Sequence, residues 1–213
     1  MSPGRAKDIA AAQRQRGFWL RTLHQWHWIS AAASLAAMLL FAITGITLNH
    51  AGSIEAKPVV EHRQATLPPK VLAALGKRDA GEAPLPARVE DWLDAQLRIE
   101  LRGRPGEWSA EEVYLSLPTP GADAWLSIDR ATGEVEYERT DRGWIAYFND
   151  LHKGRNAGAA WRWFIDVFAV ACVLFCITGL LLLQMYAGQR RSTWPWVGLG
   201  IVLPALLALL FIH

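Results

Sequence analysis

The chain has 213 residues, a formal net charge of +2 and two cysteines. That length holds one or two domains, and no soluble segment is basic enough for a nucleic-acid interface, so DNA and RNA partners are excluded. Both cysteines, Cys172 and Cys176, lie in an apolar run, so no disulfide supports the polar middle of the chain; at i, i+4 they read as small packing residues.

Charge is unevenly distributed. Residues 1–27 carry five Lys/Arg against the single acid Asp8, whereas residues 51–160 carry fourteen Lys/Arg against eighteen Asp/Glu. Arg190 and Arg191 stand in a short stretch without acids. Basic flanks stay on the cytoplasmic side of a membrane. The expected topology therefore has a cytoplasmic N-terminus (1–27), a cytoplasmic loop (187–193), a periplasmic middle (49–160) and a periplasmic C-terminus.

The first span is Trp28–Leu48, twenty-one residues without a charge, about 31 Å of helix at roughly 1.5 Å per residue, which matches a bilayer core. Its basic flank is long and no A-x-A-like site follows, so it reads as an uncleaved anchor. Ahead of it, residues 1–17 read as an interfacial helix or a disordered segment. Ala31, Ala32, Ala33, Ser34, Ala36 and Ala37 let a neighbouring helix or a flat cofactor approach closely. His24 and His27 precede the span and His50 follows it.

The middle segment reads as a small α+β domain. His62 falls in a polar connector with no assigned role. Lys70–Leu75 is a short helix stopped by Gly76, and 81–86 is a linker. Val89, Trp92, Leu93 and Leu97 share a helical face, and Gly103–Gly106 breaks that helix. Residues 112–117 alternate as a strand. Residues 124–128 and 134–138 flank Asp129-Arg130-Ala131-Thr132-Gly133 as a β-hairpin.

Trp144, Tyr147, Phe148 and then Leu151-His152 lead to a second span, 163–186. Asp166 near its start reads as a helix N-terminal acid paired with Arg162. A third span, 194–212, contains Pro204. The fold class is thus three transmembrane helices with an α+β domain inserted between the first and second. Phe41-Ala42-Ile43-Thr44-Gly45 recurs as Phe175-Cys176-Ile177-Thr178-Gly179, and Leu23-His24 recurs as Leu151-His152. Thr44, Gly45, Thr178 and Gly179 read as helix-packing notches: Thr bonds the preceding turn and Gly admits a neighbour.

The Leu23-His24-x-Trp26 entry, Ile43-Thr44-Gly45, the hairpin Ile128–Val135, Leu151-His152-x-Gly154 and Ile177-Thr178-Gly179-Leu180 together resemble the PepSY-associated transmembrane helix family of bacterial inner-membrane proteins. The likeness runs over roughly residues 18–186. It implies a periplasmic PepSY-like domain between membrane helices. Larger relatives include reductases of ferric siderophores that carry haem b on membrane histidines. On that likeness His50 and His152 are candidate axial ligands of haem iron, with His24 and His27 as further cofactor-binding candidates, the latter completed by an oligomer. The other reading of these imidazoles is a structural one, with hydrogen bonds to headgroups, water or backbone. Two functions follow: a haem b electron-transfer protein serving ferric-siderophore reduction, or a non-enzymatic accessory whose domain binds a periplasmic or membrane protein.

Overall fold

The computed structural model describes residues 3–55, 57–76, 78–101, 103–186 and 192–212; the Arg190–Arg191 pair and His213 lie outside them. The element order is α1 (Pro3–Asn49), β1 (Val59–Thr66), α2 (Pro69–Leu72, continued as a 3-10 turn over Ala73–Leu75), β2 (Gly81–Pro84), α3 (Ala87–Leu97), β3 (Pro105–Trp108), β4 (Glu112–Ser116), β5 (Ala122–Asp129), β6 (Glu134–Asp141), α4 (Gly143–Lys153), α5 (Gly158–Tyr186) and α6 (Thr193–Phe211). Among the described residues three helices are long and apolar enough to cross a membrane: α1 over Lys7–Asn49, α5 and α6. The chain divides into two compact units, Met1–Leu40 with Phe164–His213, and Phe41–Trp163.

In the first unit α1 is already helical from Pro3 and runs without a break into the apolar segment. The basic N-terminus is therefore neither a separate interfacial helix nor disordered. Between Pro3 and Asn49 there is no further proline, and the widely spaced Gly4, Gly17 and Gly45 do not break the helix. The half-buried and buried face of α1 here is His27, Ser30, Ala31, Ser34 and Ala37, a spacing of three to four residues. Ala32, Ala33 and Ala36 are exposed, so only part of the small-residue run is used for packing. Ser34 Oγ donates to Ser30 O (2.7 Å) and Ser30 Oγ to Trp26 O (2.8 Å), which satisfies both hydroxyls within the helix. On α5, Cys172 is half-buried and Cys176 exposed, so the pair does not pack as one face. Asp166 is exposed, and no ion pair with Arg162 forms among the described residues. Along α6 no residue is buried.

The second unit is a six-stranded antiparallel sheet in the order β1-β6-β5-β4-β3-β2. Alternation sets its core. Val113 and Leu115 of β4 and Leu126 and Ile128 of β5 are fully buried and meet Val89 and Leu93 of α3. The helix face of Val89, Leu93 and Leu97 is the one expected, with Trp92 partly buried beside it. Its end is not. Arg98 caps α3 in the left-handed region (φ 54°) and bonds Asp94 O, well before Gly103. The hairpin of β5 and β6 is in register Ile128↔Val135. Asp129 accepts the amides of Ala131 (2.8 Å) and Thr132 (2.7 Å). Those bonds from Thr132 and Ala131 hold its carboxyl below the usual carboxylate range. Their contribution is present at neutral pH and is lost in acid, as pH falls through the lowered value.

The sheet is larger than the sequence pattern indicates. His62 is not in a connector but on β1, paired along its whole length with β6, and its ring lies 3.4 Å from Glu138. The 81–86 stretch contains β2, and Pro105–Trp108 is β3. These strands lack a clean apolar alternation for a physical reason. β1 is an edge strand whose first four residues are all exposed, and β2 is the opposite edge, where Pro84 is tolerated. β3 is anchored by Trp108, which is buried and donates Nε1–H to Ala83 O (2.9 Å).

Candidate functional site

The histidines and the two Thr-Gly notches come together, but not in the combination expected. In the first unit, His27 of α1 docks on α5. Its Nδ1 lies 3.0 Å from Thr178 Oγ1 and 3.3 Å from Phe175 O. Its ring stacks on Phe175, centroids 4.6 Å apart and 15° from parallel. Gly179 completes the fit: a Cβ there would stand 3.2 Å from His27 Cε1. Thr178 Oγ1 donates to Leu174 O (2.7 Å), so toward the imidazole it accepts.

The second unit repeats the device. His152, near the end of α4, places Nδ1 2.7 Å from Thr44 Oγ1. Its ring leans on Phe41 at 4.8 Å, and Gly45 lies beneath Cε1, with a hypothetical Cβ at 3.7 Å. Thr44 Oγ1 donates to Phe41 O (3.1 Å). The sequence repeat thus encodes one clamp used twice: Phe-x-x-Thr-Gly on one helix receives a histidine from another. The histidine answering His152 is His27, not His24. Helical phase decides this, because His27 shares the face of Ser30 and Ser34 that α1 buries.

The other histidines turn to their own helix. His24 Nδ1 bonds Leu20 O (2.8 Å), its ring edge-on to Tyr186 at 6.2 Å. His50 Nδ1 bonds Ile46 O (3.0 Å), and the residue is exposed. A carbonyl can only accept, and each Thr hydroxyl already donates elsewhere. Nδ1 therefore carries a proton in His24, His27 and His50, each of which faces a carbonyl, and in the neutral tautomer Nε2 keeps its lone pair.

That tautomer suits ligation of haem iron through Nε2. A bis-histidine site also needs two imidazoles on opposite faces of one ring. His24 and His27, one turn apart on the same side of α1, cannot supply that. His50 lies roughly 120–180° around the helix from the Phe41–Thr44–Gly45 face that His152 occupies, at about 100° per residue. The donor chemistry fits haem, but the pairing within either unit does not. Among the described residues no group of three or more His, Cys, Asp or Glu could hold a metal ion.

Three positions beside His152 escaped sequence reasoning. Thr47 Oγ1 donates to Asn149 Oδ1 (2.8 Å), joining α1 to α4. Asp150, buried, accepts the Gly121 amide (2.9 Å) and pairs with Arg155 (3.1 Å) and Arg142 (3.4 Å). Arg142 also reaches Asp123 of β5 (2.7 Å). Asn149, Asp150 and His152 thus tie one turn of α4 to the last turns of α1 on one side and to the sheet on the other. The signal available in the sequence was three polar residues, Asn149-Asp150-Leu151-His152, ending an aromatic helix.

The clamp makes a measurable prediction. His27→Ala and Thr178→Val should each destabilise the α1–α5 contact by about 1 kcal/mol, and the double variant should cost little more than either single one. Thermal melting of the four proteins in detergent checks this; full additivity would mean that the two side chains do not act as a pair.

A family model described as PepSY_TM-like matches residues 18–213. No curated protein and no solved structure matches the chain.

Proposed function

Since the chain belongs to the PepSY_TM-like family, we propose that it is a bacterial inner-membrane accessory protein whose sheet domain faces the periplasm and binds a periplasmic or membrane protein partner. The observation that carries this reading is the mounting of that domain. Asn149 and His152 of α4 bond the end of α1 through Thr47 and Thr44, and Asp150 bonds the turn before β5 through Gly121. Such a joint fixes α4 between the last turns of α1 and the sheet, and the Nδ1 atoms of both clamp histidines are used in helix docking. The charge asymmetry, with five basic residues and one acid before the first span, supports a cytoplasmic N-terminus.

A second reading keeps haem b and ferric-siderophore reduction. The Nε2 lone pairs favour it, and in this reading an oligomer brings imidazoles of two copies to one ring. Purification of the full chain from haem-replete cells separates the two. The accessory reading expects no Soret band, and a partner retained after crosslinking that is lost when exposed side chains of the sheet are changed. A pyridine haemochrome signal that disappears in His24→Ala or His50→Ala would establish the haem reading instead. Reporter fusions at residue 1 and in the 118–121 turn test the orientation; activity of a periplasm-only reporter at residue 1 would reverse it.

A further inference from the structure

Where α1 ends, the second unit holds a cavity of about 490 Å³. It is lined from one side by Ala51, Ile54, Glu55 and Lys57, in the segment that follows α1, and from the other by Arg142, which precedes α4, and by Trp144 and Asn149 of α4. Its lining is chemically divided. Ile54 and Trp144 are apolar, and Trp144 is 70 % exposed. Lys57 and Glu55 are exposed, and neither has an ion pair among the described residues. Arg142 is held in place by Asp123 and Asp150. Asn149 is only 8 % exposed. Its Oδ1 is taken by Thr47, whereas its Nδ2 keeps its N–H donors without a partner among the described residues, and the residue lines the cavity. The first-turn amides of Trp144 and Ile145 also lack acceptors among the described residues, the Gly143 amide being capped by Asp141 (2.8 Å).

An amide N–H open to the cavity beside Lys57 and Arg142 suits an anionic oxygen ligand. The charges around the cavity do not favour a plain anion, because Asp123 and Asp150 already balance Arg142 and Arg155. What remains is one separated pair, Lys57 and Glu55. A ligand that carries both a phosphate and a primary ammonium offers one group to each. The cavity starts two residues beyond the candidate span Lys7–Asn49, where exposed Ile43 and Ile46 of α1 offer an apolar surface in the same unit. Indole at such a position sits at headgroup level.

We propose that this cavity binds the headgroup of a phospholipid carrying a primary ammonium. Lys57, Arg142 and the Asn149 amide hold the phosphate, Glu55 holds the ammonium, and Trp144 and Ile54 cover the glycerol region.

The test is native mass spectrometry of the full chain, released from nanodiscs that contain equal amounts of phosphatidylethanolamine, phosphatidylcholine and phosphatidylglycerol. Phosphatidylethanolamine adducts should exceed each of the others about three- to fivefold, the scale of one partly exposed charge-assisted contact. Glu55→Gln should remove the preference over phosphatidylcholine, whose quaternary ammonium cannot donate a hydrogen bond. Lys57→Gln should reduce adducts of all three lipids. Both positions are exposed, so neither change threatens folding, and Glu82→Gln on β2 serves as the control. Equal retention of the three lipids, unaltered in Glu55→Gln and Lys57→Gln, overturns the proposal. Phosphoethanolamine adducts on the chain together with no preference for phosphatidylethanolamine in the nanodiscs would make the free solute the ligand and overturn the lipid.

Discussion

Gly121→Ala is expected to destabilise the sheet domain by about 3 kcal/mol, the largest effect of any single methyl group in the described structure. Gly121 has φ +72°, where an L side chain is strained, and a Cβ there would lie 2.7 Å from both N and Cα of Tyr147. The obstacle is backbone in the middle of α4, so no rotamer change relieves it. Alanine must push α4 away from the turn before β5. The Gly121 amide would then lose its bond to Asp150, and Arg142 would lose the line of its bond to Gly121 O (2.9 Å). For a domain whose total stability is on the order of 5–15 kcal/mol, this lowers the midpoint of thermal unfolding by about 10 °C or more. Pulse proteolysis of the full chain in detergent, with the fragments of residues 57–153 followed by mass spectrometry, reads it. An unchanged midpoint would mean that the turn and α4 are not in contact.

Asp150→Ala should cost about 2–3 kcal/mol by a different route. The Asp150 side chain is 8 % exposed and serves Gly121 N–H, Arg142 and Arg155 at once. Truncation leaves a donor without an acceptor and removes a charge from between two guanidinium groups. The arginine side chains are 31 % and 50 % exposed, so water takes up part of the loss and the estimate sits below that for a fully buried pair. Asp150→Asn keeps an oxygen for the Gly121 amide but not the charge, and is expected to cost about 1 kcal/mol. Because Gly121 and Asp150 act at one contact, Gly121→Ala with Asp150→Ala should cost clearly less than the sum of the two. Additive losses would show that the turn and the carboxylate stabilise the domain separately.

These two residues, with Asn149 and His152, tie α4 to the sheet and to the last turns of α1. If α4 is the mount, Asp150→Ala should weaken partner capture even when the sheet still folds, because the orientation of the binding surface is lost. Loss of capture beyond the fraction of unfolded chain would be the signature of a mount rather than of a core.

Some of this was open to sequence reading. Three apolar runs of bilayer length, the basic N-terminus, the amphipathic face of Val89, Leu93 and Leu97, and the Asp129–Gly133 turn are all local patterns, each written in neighbouring residues, and the family resemblance rested on motifs of the same kind. What only the tertiary structure decided is the set of contacts between distant segments. β1 carries no alternation because it is an exposed edge, and it becomes a strand only by pairing with β6. Asp150 is one acid among many until the fold brings the Gly121 amide to it. The Thr-Gly repeat was visible, yet its partners were not. His24 and His27 both fit the spacing, and the choice of His27 follows from which face of α1 meets Thr178. A helix phase of about 100° per residue separates candidates that lie side by side in the sequence, and only the packed neighbour says which phase is used.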